Sequence, residues 1–126
     1  MKRRIAFSIV IASVLLCGAA FGAVAWRIRR SVRDNCLLAQ QASPHTGDDV
    51  TALVDFMNST EHSLHDRNHK AIWTLGQLRD PKALPALESV YTGDPCDHDN
   101  NLCQYALEKA IRLCGGTPNP PLKTKH

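Results

Sequence analysis

The sequence predicts an all-α protein: one N-terminal transmembrane helix followed by a short domain of antiparallel helical repeats. Three observations carry this expectation. An uncharged run of 22 residues, Ile5 to Trp26, stands between two basic clusters. Apolar side chains then recur at three- and four-residue spacing in four separate segments. No stretch alternates apolar and polar residues as a half-buried strand would.

The first element follows from length. At 1.5 Å per residue the run extends about 33 Å, enough for a hydrocarbon core of roughly 30 Å. A helix satisfies its own backbone groups inside lipid, so an uninterrupted run can stay there. Lys2, Arg3 and Arg4 precede it, and Arg27, Arg29 and Arg30 follow. Two readings compete. Residues 1–30 form an uncleaved signal anchor, or a signal peptide is cut after Ala23-Val24-Ala25, a small-x-small pattern. The run is longer than the usual 7–15-residue signal core, which favours the anchor. Gly18 and Gly22 form a GxxxG pair, a pattern that lets two membrane helices approach closely and that provides a homodimer face.

Charge separates the anchor from the rest. The 126-residue chain has a formal net charge of +3, yet residues 1–33 hold seven basic side chains and no acidic one. Residues 34–126 hold eight basic and twelve acidic groups. A mildly acidic body lacks the basic footprint of a nucleic-acid binder, so no nucleic-acid partner is expected. Basic residues flank the anchor almost equally, which leaves orientation to the cysteines. Cys36, Cys96, Cys103 and Cys114 make an even number in a small domain, which suits an oxidising compartment. The C-terminal domain is therefore expected outside the cytoplasm, on a single-pass membrane protein.

Residues 31–47 read as a juxtamembrane helix and linker, ended at Ser43-Pro44 because the residue before proline avoids the α region. Asp48 can cap a helix whose Val50, Leu53, Val54 and Met57 form one stripe. A second helix starts near Ser63 or Asp66 and turns Leu64, Ala71, Ile72, Leu75 and Leu78 to one face. Asp80 then caps a third helix with Pro81 at its first position, the favoured place for proline. It carries Leu84, Leu87, Val90 and Tyr91 inward, with a slight bend expected at Pro85. The fourth runs about Leu102 to Cys114. Cys103, Ala106, Leu107, Ala110, Leu113 and Cys114 share its apolar face, Gln104, Tyr105, Glu108, Lys109 and Arg112 lie opposite, and Gly115-Gly116 stops it. Residues 117–126, with Pro118, Pro120 and Pro121, read as a disordered tail.

Within residues 48–116 one segment repeats. Ala71-Ile72-Trp73-Thr74-Leu75-Gly76-Gln77-Leu78 and Ala106-Leu107-Glu108-Lys109-Ala110-Ile111-Arg112-Leu113 align at a spacing of 35 residues. The stretch from His69 to Glu88 joins the first of these, through Arg79-Asp80-Pro81, to Ala83-Leu84-Pro85 and Leu87. It is similar to a HEAT repeat, of the short kind found in phycobilisome-lyase-type proteins. The resemblance implies an α-solenoid scaffold for protein binding. Residues 48–58 look like the second helix of a preceding repeat, and 101–116 like the first helix of a following one. No lyase position transfers.

Candidate chemistry is sparse. His62, His65 and His69 fall at i, i+3 and i+7, one side of a helix, with Trp73 extending the stripe. Imidazoles four apart on a helix can share a metal, which supports an exported metal-binding module as the alternative function. The leading expectation is a membrane-anchored adaptor with Trp73, His65 and His69 on its protein-binding surface and lipid around its first helix. Asp97, Asp99, Asn101 and Glu108 have calcium-loop spacing, but Leu102 stands where the loop needs glycine. That pattern reads as chance, with Asp99 or Asn100 capping the last helix. Cys103 and Cys114 lie about 16 Å apart along one helix, too far to bridge. Cys103 then pairs with Cys96 or Cys36, and Cys114 with the other, unless the thiols remain free in the core. No phosphate loop, nucleophile elbow, paired-carboxylate signature or CxxC occurs, so neither an enzyme nor a cofactor is expected.

Overall fold

The first helix, α1, runs without a break from Lys2 to Ala42 in a computed structural model that describes residues 2–43 and 47–119. Among the described residues all regular structure is helical. The chain divides into two units, one ending at Ser31 and one beginning at Val32. In the first unit the helix is long and apolar enough to cross a membrane. Its side chains are open on every side: Phe7, Leu16 and Phe21 are 70%, 72% and 79% exposed. Ser13 returns its hydroxyl to the Ile9 carbonyl at 2.8 Å, so the run presents little polar surface of its own. Arg30 lies over the Trp26 ring, 5.4 Å from its centroid, an amphipathic pairing suited to a membrane boundary.

The second unit takes up the end of α1. Residues 31–47 read from sequence as a juxtamembrane helix and linker; the helix continues to Ala42, and its Cys36 and Ala39 belong to the core, 6% and 1% exposed. Asn35 donates its amide to Thr74 Oγ1 at 2.9 Å, and Gln40 to Asp49 Oδ1 at 2.6 Å. The helix stops at Ala42, and Pro44 lies outside the described residues. Helix α2, Asp49–Asn58, begins as expected: the Asp48 carboxylate accepts from the Thr51 N–H at 2.9 Å. Its buried face is wider than the predicted stripe and adds Ala52 and Phe56.

Residues 64–78 form one rod, α3, built from three pieces. Ser63 caps a single α-turn at Leu64–Asp66, a π-helical segment follows at Arg67–Ile72, and α-geometry resumes at Trp73–Leu78. The π-turn places an extra residue in the helix, so the residues on either side change register. Ala71, Ile72 and Leu75 are buried as expected, whereas Leu64 and Leu78 are only partly buried. Asn68 and Thr74, polar positions absent from the predicted core, are buried instead. The rod ends at Arg79, whose φ of 54° is the left-handed cap.

Helix α4 starts as a 3₁₀ turn, Pro81–Ala83, capped by Asp80, and continues in α-geometry over Leu84–Val90. Pro85 therefore falls in the first turn of the α segment, where its missing N–H costs nothing. Residues 92–101 form an exposed loop. Helix α5, Gln104–Leu113, starts two residues later than predicted. Its cap is Cys103, not Asp99 or Asn100, because Asp97 turns those residues inward on itself. Asp97 accepts the Asp99 N–H at 3.2 Å and the Asn100 amide at 2.9 Å. Gln104, expected on the outer side, is buried. It serves the loop: its Oε1 accepts from the Thr92 and Gly93 N–H groups at 2.7 and 3.3 Å.

The stop at the end of α5 follows its sequence signal. Gly115 takes φ 89°, its N–H donates to Arg112 O, and the Gly116 N–H donates to Ile111 O at 2.9 Å. Beyond it Thr117–Asn119 is not helical, and the remainder of the proline-rich tail, residues 120–126, lies outside the described residues.

Helix α5 packs on Trp73–Leu78 of α3 and on α4, closing a core that includes Leu53, Met57, Ile72, Leu75, Leu87, Leu107 and Ile111. The two segments that align at a spacing of 35 residues thus lie against each other. Gly76 permits this: a Cβ there would stand 3.2 Å from Ala110 Cα and 3.3 Å from Ala110 Cβ.

Candidate functional site

The same contact that closes the core leaves a groove on its outer side. Gly76, Ala106 and Ala110 are small, so α3 and α5 meet closely but leave space between their larger neighbours. Trp73 and Gln77 on α3, and Tyr105, Lys109 and Leu113 on α5, border a depression of about 250 Å³. Its lining is mainly apolar carbon, with His69 and His98 among the lining residues. Tyr105 is 69% exposed, an unusual display for an aromatic ring. Lys109 is exposed and adds one positive charge.

Of the residues singled out from sequence, Trp73 and His69 reach this groove. His65 is exposed, and its ring meets that of His69 at 4.3 Å between centroids. His62 precedes α3 and stacks flat on Phe56, 3.7 Å away and 6° from parallel. The helical spacing of His62, His65 and His69 therefore does not translate into one three-imidazole set, because His62 is not on the helix.

A different set converges. Among the described residues, Cys96, His98 and Cys103 hold ligand atoms that all lie within 4.8 Å of one another. Cys96 and His98 come from the exposed loop, and Cys103 is the buried cap residue just before α5. The Cys96 and Cys103 sulfurs are 3.2 Å apart, and the Tyr105 N–H donates to Cys96 Sγ at 3.2 Å. That backbone donor holds the Cys96 thiol below its ordinary value, while burial pushes the Cys103 thiol up. Sequence reasoning named both cysteines but missed His98. The signal was present as Cys96-x-His98 followed five residues later by Cys103, bracketing a loop before a helix.

All five cysteines are free thiols. The expected Cys96–Cys103 bridge is a non-bonded contact at 3.2 Å, well beyond the roughly 2.05 Å of a disulfide. Its alternatives with Cys36 and Cys114 are likewise absent. Cys36 is buried in the end of α1, and Cys114 lies with its sulfur toward the Leu75 carbonyl at 3.5 Å. In the calcium-like stretch Leu102 is buried, and the Asp97 carboxylate is taken up by its own turn. Gly18 and Gly22 have nothing within 4 Å of an added Cβ, so their face of α1 is open. Comparison with family models, with curated proteins and with solved structures finds no match.

Proposed function

We propose that this chain is a membrane-anchored adaptor: α1 holds a HEAT-like helical module at a membrane surface, where its groove receives another protein. The carrying observation is the groove bordered by Trp73, Tyr105 and Leu113. Aromatic side chains around an apolar depression are the composition of protein-binding hot spots. The HEAT-like reading rests on the 35-residue repeat, whose two copies pack on each other as stacked units do. The anchor reading rests on the exposed apolar length of the first unit. Lipid is its first partner, and the open Gly18–Gly22 face suits a second copy.

The groove fits a helix or loop that inserts an apolar side chain and sets a carboxylate beside Lys109. His65 and His69 flank this surface and belong to its rim. No residue is assigned a catalytic role. In-membrane crosslinking of the full chain, followed by quantitative mass spectrometry, tests the reading. Trp73→Ala is expected to cost about 2 kcal/mol of binding, roughly 30-fold in partner recovery, with helicity retained. Equal recovery by wild type and Trp73→Ala overturns it.

A further inference from the structure

We propose that Cys96, His98 and Cys103 form a site for a thiophilic closed-shell cation, Zn²⁺ or Cu⁺. This goes beyond the adaptor reading: His98 and Cys103 also line the groove, but the site uses none of the side chains that carry that reading, Trp73, Tyr105 and Leu113. The three donors are of the right kind: two sulfurs and an imidazole select soft and borderline d¹⁰ ions over Mg²⁺ or Ca²⁺. Their ligand atoms already lie within 4.8 Å of one another.

The geometry needs little adjustment. Metal–sulfur bonds of about 2.3 Å at the tetrahedral angle separate two sulfurs by about 3.8 Å, so the 3.2 Å contact opens by roughly half an ångström. Cys96 can move because its loop is exposed. Cys103 is the fixed partner, since its backbone N–H is held by the buried Asn68 side chain at 2.9 Å. The Tyr105 N–H bonds to the Cys96 sulfur from outside the ligand set, as second-layer donors do in thiolate sites.

Charge and protons balance. Binding Zn²⁺ replaces the two thiol protons, which leave to solvent, and two thiolates with a neutral imidazole give a site of zero net charge. Water reaches the exposed side of Cys96 and His98 and completes a four-coordinate shell for Zn²⁺, while Cu⁺ is satisfied by the three protein ligands. The bound ion ties the 92–101 loop to the start of α5, reinforcing the connections made through Gln104 and through the Tyr105 N–H to the Cys96 sulfur.

The full chain, reduced in detergent micelles, is titrated with Zn²⁺, with Co²⁺ as its spectroscopic substitute, and with Cu⁺ buffered by a competing chelator. One equivalent is expected, with thiolate-to-cobalt charge-transfer absorption. Cys96→Ser is expected to weaken binding at least about 100-fold and His98→Ala about 10-fold. Both side chains are exposed, so these variants keep their helicity, which circular dichroism checks. A His65→Ala/His69→Ala double variant is expected to bind unchanged. The metal content of protein isolated from its native membrane identifies which of the two ions it carries. Three results each overturn the site: no binding at micromolar metal, unchanged affinity in Cys96→Ser, or Cys96 and Cys103 joined as a disulfide in protein taken from its native membrane. Partner recovery through Trp73 is measured separately, so the loss of one proposal leaves the other standing.

Discussion

Asn68 and Cys103 join the two helices that define the core: the Asn68 side-chain oxygen accepts the Cys103 backbone N–H at 2.9 Å, across 35 residues of sequence. Cys103 occupies the cap position of α5, and its thiol makes no cap bond there. Asn68 thus binds the start of one helix from inside another. The π-turn of α3 contains Asn68, in the stretch that leads to Trp73 at the groove.

Removing that acceptor leaves a buried N–H without a partner. Asn68→Ala is expected to cost about 1–3 kcal/mol of stability, the usual penalty for an unsatisfied buried donor. Denaturant midpoints measure the loss. Amide hydrogen exchange adds a local reading, with Cys103 and the first turn of α5 expected to lose protection before the centre of α3.

Gly76 tests the closeness of α3 and α5. A Cβ at this position meets backbone, Ala110 Cα at 3.2 Å, which cannot rotate away as a long side chain would. Glycine in a helix normally gains from replacement by alanine, by about 1 kcal/mol. Here Gly76→Val is expected to destabilise by about 1–3 kcal/mol, because overpacking forces the helices apart. A thermal midpoint equal to or above wild type would show that the helices separate freely.

Acid should weaken the helix starts. The Asp48 carboxyl lies below its ordinary 3.8, chiefly through the Thr51 backbone N–H, then through the Thr51 hydroxyl and Lys82. Asp66 is also lowered, first by its hydrogen bond with Lys70. Folding holds both in the charged form, so their contribution is present above about pH 4 and is lost as pH falls through the lower folded values. The thermal midpoint is expected to drop between about pH 5 and pH 2. Asp48→Asn keeps a capping oxygen but does not titrate, so its acid limb should be shallower. An identical limb in both proteins would remove Asp48 from the account.

Much of the helical framework was legible because its signals are local. Asp48, Ser63 and Asp80 accept the N–H groups that their positions before apolar stripes implied. Gly115-Gly116 ends α5 for the reason a glycine pair usually does. The π-turn was not legible, since nothing in a 3.6-residue stripe announces an extra residue. Nor was Gln104, which reads as a surface residue and is buried because the loop carbonyls and amides after α4 need it.

The histidines and cysteines mark the boundary most sharply. Helical spacing grouped His62 with His65 and His69, but the helix begins after His62, which rests on Phe56 instead. His98 drew no notice, because its neighbours Cys96 and Cys103 meet it only when the 92–101 loop folds over the start of α5. Sequence by itself determined what depends on neighbours a few residues away: the apolar length of the first helix, the caps, the stops and the stripes. Tertiary structure alone decided which distant side chains meet, the groove beside Trp73 and the Cys96–His98–Cys103 cluster, since their positions are set by how α3 and α5 pack and by the backbone groups that packing leaves to be satisfied.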